Sequence, residues 1–163
     1  MALRRILTQG DLTLSAVCHP VTAFDERLHT LLDDMRETLA VANGLGLAAP
    51  QVGIRRRAAL VTDENDKILE LVNPVILSQD GAQTDLEGCL SVPGQYGEVT
   101  RPNHVVVRAQ DRNGKTFELD ATEMTARCCC HEVEHLDGHL FTEHTKRLYS
   151  IEELDEMAAE DKR

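Results

Sequence analysis

RCCCHEVEHLDGHL, residues 127–140, sets two readings against each other. Three adjacent cysteines suggest a redox or thiolate site, while His131 and His135, four apart, suggest a helix. On a helix, residues four apart share a face about one turn apart, so both imidazoles can reach one ion. Cys128, Cys129 and Cys130 would instead point about 100° from one another and cannot all face one metal. The stretch therefore reads as a helix carrying HExxH, with Thr122 or Thr125 as its cap and Gly138 as its stop. Glu132 falls beside the shared face, placed to move protons rather than to ligate. The cysteine triplet reads as small core hydrophobes, which buried cysteine resembles. Cys18 has no motif around it and reads as structural.

Around this helix the pattern is mixed. Phe24, Leu28, Leu31, Leu32, Met35 and Leu39 recur at helical spacing and predict an amphipathic helix over 23–42. Thr22 with Asp25 suggests its capping box, and Asn43-Gly44 its stop. RAALVT, ILELV, PVILS, VVVRAQD and KTFELD then read as short strands, the last two joined by a hairpin at Asp111-Arg112-Asn113-Gly114. A last helix begins at Ser150, with Glu153 completing a capping box and Ile151, Leu154, Met157 and Ala158 along one face. Strands joined by short turns favour antiparallel pairing, and the whole reads as a single α+β domain over residues 1–163.

Charge and composition narrow the function. The chain has 163 residues and a formal charge of -11, which repels a phosphate backbone and argues against direct nucleic-acid binding. Aromatic residues make up only 3%, so the core must be aliphatic. The first residues, MALRRILTQGDLTL, lack the sustained apolar run of a signal peptide, and no stretch approaches transmembrane length. Five cysteines, an odd number, read as free thiols in a reducing compartment, so the expected location is the cytoplasm, away from membranes.

A catalytic ion on His131 and His135 needs a third protein ligand and an open position for water. A third histidine in the HxxGxxH pattern is absent, because Phe141 stands at that place. A glutamate from a later helix, Glu152 or Glu153, is one source. A thiolate from elsewhere is another, and Cys89 stands in LEGCLSVPG, a glycine- and proline-flanked segment that reads as a loop. A third stretch, NGLGLAAPQVG, is built of small residues that let the chain pass close to a site, and its Gln51 offers an amide to a developing oxyanion.

GLGLAAPQVG, EGCLSVP and HEVEHLDG, in this order, resemble the three signature motifs of the peptide deformylases. The similarity extends through TRPNHVVVRAQDRNGKTFEL between the second and third. The resemblance implies antiparallel sheets surrounding a central helix that bears HExxH, with an N-terminal amphipathic helix and a C-terminal helix. It implies release, as formate, of the N-formyl group from the initiator methionine of newly made polypeptides. Its metal ligands would be Cys89, His131 and His135, its general acid and base Glu132, and its oxyanion donors Gln51 and the backbone amide of Leu90. Gly46 would lie beside the substrate backbone, and Gly44, Leu45, Glu87 and Cys128 would shape the methionine cleft. The ion implied is Fe2+, and Zn2+ or Ni2+ can stand in its place in purified material. The resemblance also allows the transient ribosome association of some relatives, which the short, acidic C-terminal helix does not by itself establish.

Two departures from the family pattern stand at the third motif. Glu134 replaces the usual Asp, and Cys130 stands where a glutamine is common. Glu134 points about 100° from His135 on the helix and is expected to pair with Arg101. Two rival readings are a peptidase ligated by a downstream glutamate and a non-enzymatic metal- or thiol-binding protein. The presence of Glu132 and Gln51, which a purely structural site does not need, counts against the second.

Overall fold

The computed structural model describes residues 2–162. Helix α1 spans Glu26–Ala42 and is capped by Asp25 itself, whose carboxylate accepts from the Leu28 amide at 3.2 Å, rather than by a box at Thr22. Asn43 ends it in the left-handed conformation, φ 55°. Leu28, Leu31, Leu32, Met35 and Leu39 are buried, as their spacing predicts.

Strands β1 (Gly46–Ala48), β2 (Ala58–Thr62) and β3 (Ile68–Asp80) follow. ILELV and PVILS form one strand rather than two. The register shifts between Val72 and Val75, where Asn73 takes φ 51° and Pro74 has no N–H to give the ladder. Asn73 fastens this bulge, accepting from the Val21 amide at 2.8 Å and donating to the Val21 carbonyl at 2.9 Å.

Next come β4 (Gln83–Cys89) and β5 (Val92–Arg101), which pair with each other. This hairpin corrects the loop expected at LEGCLSVPG: Cys89 is the last residue of a strand. Its polar, glycine-rich composition carries no alternation to reveal it. Strands β6 (His104–Gln110) and β7 (Thr116–Thr122) form the predicted hairpin. Its turn is held by the Asp111 carboxylate, which accepts from the Asn113 and Lys115 amides, and Gly114 supplies φ 84°.

Helix α2 spans Glu123–Leu136, β8 covers Tyr149–Ser150, and α3 runs Ile151–Asp161. Ser150 and Glu153 form the expected box at α3, but that helix buries none of its residues. The larger sheet has the order β1-β2-β3-β6-β7 and the smaller β4-β5-β8, with every pairing antiparallel. The architecture is α+β. One apolar cluster joins α1 to β1 and β2; another joins Cys128, Cys129 and Cys130 to Val61, Leu71, Val105, Val107 and Ala121.

A polar clamp closes the rim of the larger sheet. Glu70 on β3 accepts from Arg36 of α1 at 2.7 Å and from Arg112 of the hairpin at 2.6 Å. Burial alone would raise its carboxyl, but the hydrogen bonds from Arg112 and Arg36 outweigh that and hold it below the ordinary 4.5. A depressed carboxyl stabilises the fold above its unfolded pKa, and the contribution fades as pH falls through the folded value. Glu70→Gln should therefore lower unfolding free energy near neutrality by about 1–3 kcal/mol. Chemical denaturation across pH should show the gap from wild type shrinking below pH 4.5. A gap that is constant down to strong acid would contradict the clamp.

Candidate active site

The predicted donors meet where α2 crosses the end of β4. His131 and His135 lie on one face of α2, with their Nε2 atoms 3.2 Å apart. The Cys89 Sγ lies 3.3 Å from His135 Nε2, and the three donor atoms all fall within 4.8 Å of one another. A register shift between Glu87 and Cys89 marks the strand end that delivers the thiol. Two imidazoles and a thiolate around a tetrahedral ion, bonded at about 2.1 and 2.3 Å, stand roughly 3.4–3.6 Å apart. The observed spacing fits such an ion. Burial and its neighbour His131 push His135 well below the ordinary imidazole range, so it is neutral and able to ligate.

His131 is oriented from behind. Its Nδ1 lies 2.8 Å from Glu87 Oε2, which accepts the N–H there and turns Nε2 toward the site. Glu87 also accepts from Arg101 at 2.6 and 3.2 Å and from Arg127 at 2.8 Å. Burial opposes its charge, but the bonds from His131 and Arg101 prevail and hold it well below the usual carboxylate range. Glu87 was expected to shape the cleft. It does line it, yet its carboxylate is turned to these three partners. Arg127, beside the cysteines on α2, carries no sequence signal, because nothing in its spacing points to a partner on β4. The expected pair of Arg101 with Glu134 is present at 2.7 Å.

Glu132 is buried beside the donors, and its Oε1 has no hydrogen-bond partner among the protein atoms. Burial pushes its carboxyl up to about 7, against the pull of His131. A cation at the donors would draw it down again. Gly46 makes room for it: a Cβ there would run into Glu132 Oε2 and meet Cys128 Sγ at 3.0 Å. Gln51 is also buried, and its Oε1 accepts from the Ala48 amide at 2.9 Å. That bond turns Nε2 toward the site, 3.5 Å from Cys89 Sγ and 3.0 Å from Ser91 Oγ.

A cleft of about 470 Å³ opens from Glu132 and His131. Gly44, Leu45, Gly46, Leu90 and Cys128 line it, so every residue expected in the pocket borders it. The remaining cysteines of the triplet do not. Burial pushes the Cys129 and Cys130 thiols up to about 12 and about 11, which keeps them protonated within the apolar cluster. Of the two alternative ligands, Glu153 is spent at the start of α3 on Ser150 and Arg147, and neither it nor Glu152 joins the donor group. Among the described residues, only Cys89, His131 and His135 form such a donor group.

The polypeptide deformylase family model matches residues 3–150. The peptide deformylase of Caldicellulosiruptor bescii is 51% identical over 156 residues, 96% of this chain and 93% of that protein. Among solved structures, the peptide deformylase of Thermotoga maritima superposes with a TM-score of 0.87 at 35% identity, over 90% of this chain and all of that one. That of Legionella pneumophila gives 0.85 at 38% identity, over 99% of both chains. The matched segment runs through both sheets and α2, and a chain so similar in sequence and backbone belongs to the polypeptide deformylase family.

Proposed function

We infer that Cys89, His131 and His135 hold one divalent ion at the catalytic centre of this peptide deformylase, with Glu132 as its proton shuttle. The enzyme removes the N-formyl group of newly synthesised polypeptides. The carrying observation is the convergence of three ligand atoms within 4.8 Å, beside a buried carboxylate that none of them needs. We also read α2 as the central helix of the fold, supported by the burial of residues 125–132 all round it. Residues 1–163 are read as one catalytic domain.

When bound, the ion supplies Lewis-acid polarisation and lowers the pKa of a water toward neutrality. Glu132 takes the proton from the attacking water and returns it to the departing amine. Gln51 Nε2, aimed by the Ala48 amide, and the Leu90 backbone N–H donate to the oxyanion that develops on the formyl oxygen as water attacks the carbon. Gly46, with no Cβ, lets the substrate backbone pass close to Glu132. The formyl carbon bears only hydrogen, so a site shaped closely to it would admit formyl and exclude acetyl. The largely apolar cleft suits the unbranched thioether of methionine.

The ion we propose is Fe2+. The donor set also accepts Zn2+ and Ni2+, since an imidazole–thiolate site does not select iron by affinity. Five free cysteines support a reducing cytoplasm. No helix among the described residues is long and apolar enough to cross a membrane. The acidic charge argues against direct nucleic-acid binding, while a transient association with the ribosome that delivers the nascent chain stays within this reading.

Removing acid–base help alone costs on the order of 100- to 10,000-fold in rate. Glu132→Gln should therefore keep its metal and bind formyl-Met peptide while kcat for formate release collapses by that factor. Near-wild-type turnover would remove Glu132 from the mechanism. Metal analysis should find Cys89→Ala without stoichiometric metal and Cys130→Ala loaded like wild type; the reverse would reassign the thiolate ligand. Formyl-Met peptides should be cleaved far faster than formyl-Asp peptides, whose charge must be desolvated in the cleft. Equal rates would contradict an apolar pocket.

A further inference from the structure

We propose that Glu134 is a positioning residue for the metal centre: it clamps Arg101 against Glu87 and, through Glu87, fixes the His131 ring. The inference rests on reading Cys89, His131 and His135 as the metal donors. An unbroken series of contacts runs from the surface to that ring. His144 Nε2 lies 2.9 Å from Glu134 Oε2, and Glu134 Oε1 accepts from Arg101 Nη1 at 2.7 Å. The opposite edge of the same guanidinium, Nε and Nη2, forks onto Glu87 at 3.2 and 2.6 Å. Glu87 Oε2 then meets His131 Nδ1 at 2.8 Å.

Charge balance explains why Glu134 matters. Arg101 and Arg127 are both buried, and both donate to the single carboxylate of Glu87. Two buried guanidiniums on one carboxylate leave an uncompensated positive charge, which is costly away from water. Glu134 supplies the second carboxylate on the far side of Arg101. Without it, Arg101 draws more heavily on Glu87, the bond from His131 Nδ1 weakens, and Nε2 becomes a poorer donor. Glu134 sits three residues after His131 on α2, so the series of contacts closes back onto the helix that bears both histidines.

The competing role is a strut. Glu134 also joins α2 to the short 3-10 helix Phe141–His144, and a strut would act through His144 alone. Glu134→Gln, Glu134→Asp and His144→Ala separate the two. Zn2+ affinity would be measured by chelator competition, and the His131 ring by 15N NMR of the metal-free protein. Glu134→Gln should bind Zn2+ about tenfold more weakly, the lower end of what outer-shell partners contribute. Its His131 Nδ1–H resonance should move away from the hydrogen-bonded position. Glu134→Asp, still facing Arg101, should restore most of both, and His144→Ala should stay close to wild type. The proposal is overturned if Glu134→Gln keeps wild-type affinity and an unchanged His131 resonance, or if His144→Ala weakens binding as much. A wild-type protein that binds no stoichiometric Zn2+ would instead sink the three-donor reading on which the proposal stands.

Discussion

The carboxylate of Glu87 holds together parts of the chain that sequence keeps far apart. It sits on β4, receives Arg101 from β5 and both Arg127 and His131 from α2, and is almost wholly buried. Such a cluster gains little over an apolar replacement, but removing one partner strands a buried charge, which costs about 3–5 kcal/mol. Its consequence is geometric: the end of β4 cannot move relative to α2 without breaking several charged hydrogen bonds. Cys89 lies two residues from Glu87, so the contacts that orient His131 also fix where the thiol arrives. The cluster thus couples the smaller sheet to the helix at the point where the donors meet.

Thiol chemistry in this chain is decided by surroundings rather than by number. Cys129 and Cys130 lie among Val61, Val105, Val107 and Ala121, where ionisation is suppressed and the sulfur serves as a small apolar group. Cys89, half-buried, faces two imidazoles and the Ser91 amide, which approaches its sulfur at 3.4 Å. Among the described cysteines, Cys89 is the one whose sulfur belongs to a group of three side chains that could hold a metal ion.

Periodicity made α1 and α2 readable, because leucines at helical spacing and histidines four apart carry their geometry in the sequence. The Asp111–Gly114 turn was equally plain. The β4–β5 hairpin was not, since QTDLEGC and VPGQYGEVTR are polar and rich in glycine, and their pairing depends on packing against α2 and residues 141–145. In the sequence the bulge at Asn73–Pro74 looks like a break between two strands for a similar reason: proline signals an interruption locally, while the side chain that repairs it bonds across 52 residues. At the site, helical spacing marked His131, His135 and Glu132, while Cys89 and Gln51 took their roles from the resemblance of their motifs to those of the family. The Arg127–Glu87 contact was invisible, because ion pairs between distant elements have no period. Glu134 was legible as a departure and as a partner for Arg101, but its second contact, to His144, appears only once the 3-10 helix is folded against α2.

The most direct test is X-ray absorption at the metal edge of enzyme purified without oxygen. One sulfur at about 2.3 Å together with two imidazole nitrogens is the expected first shell. A shell with no sulfur, or with two or more, would contradict the assignment of Cys89, His131 and His135 as the ligand set.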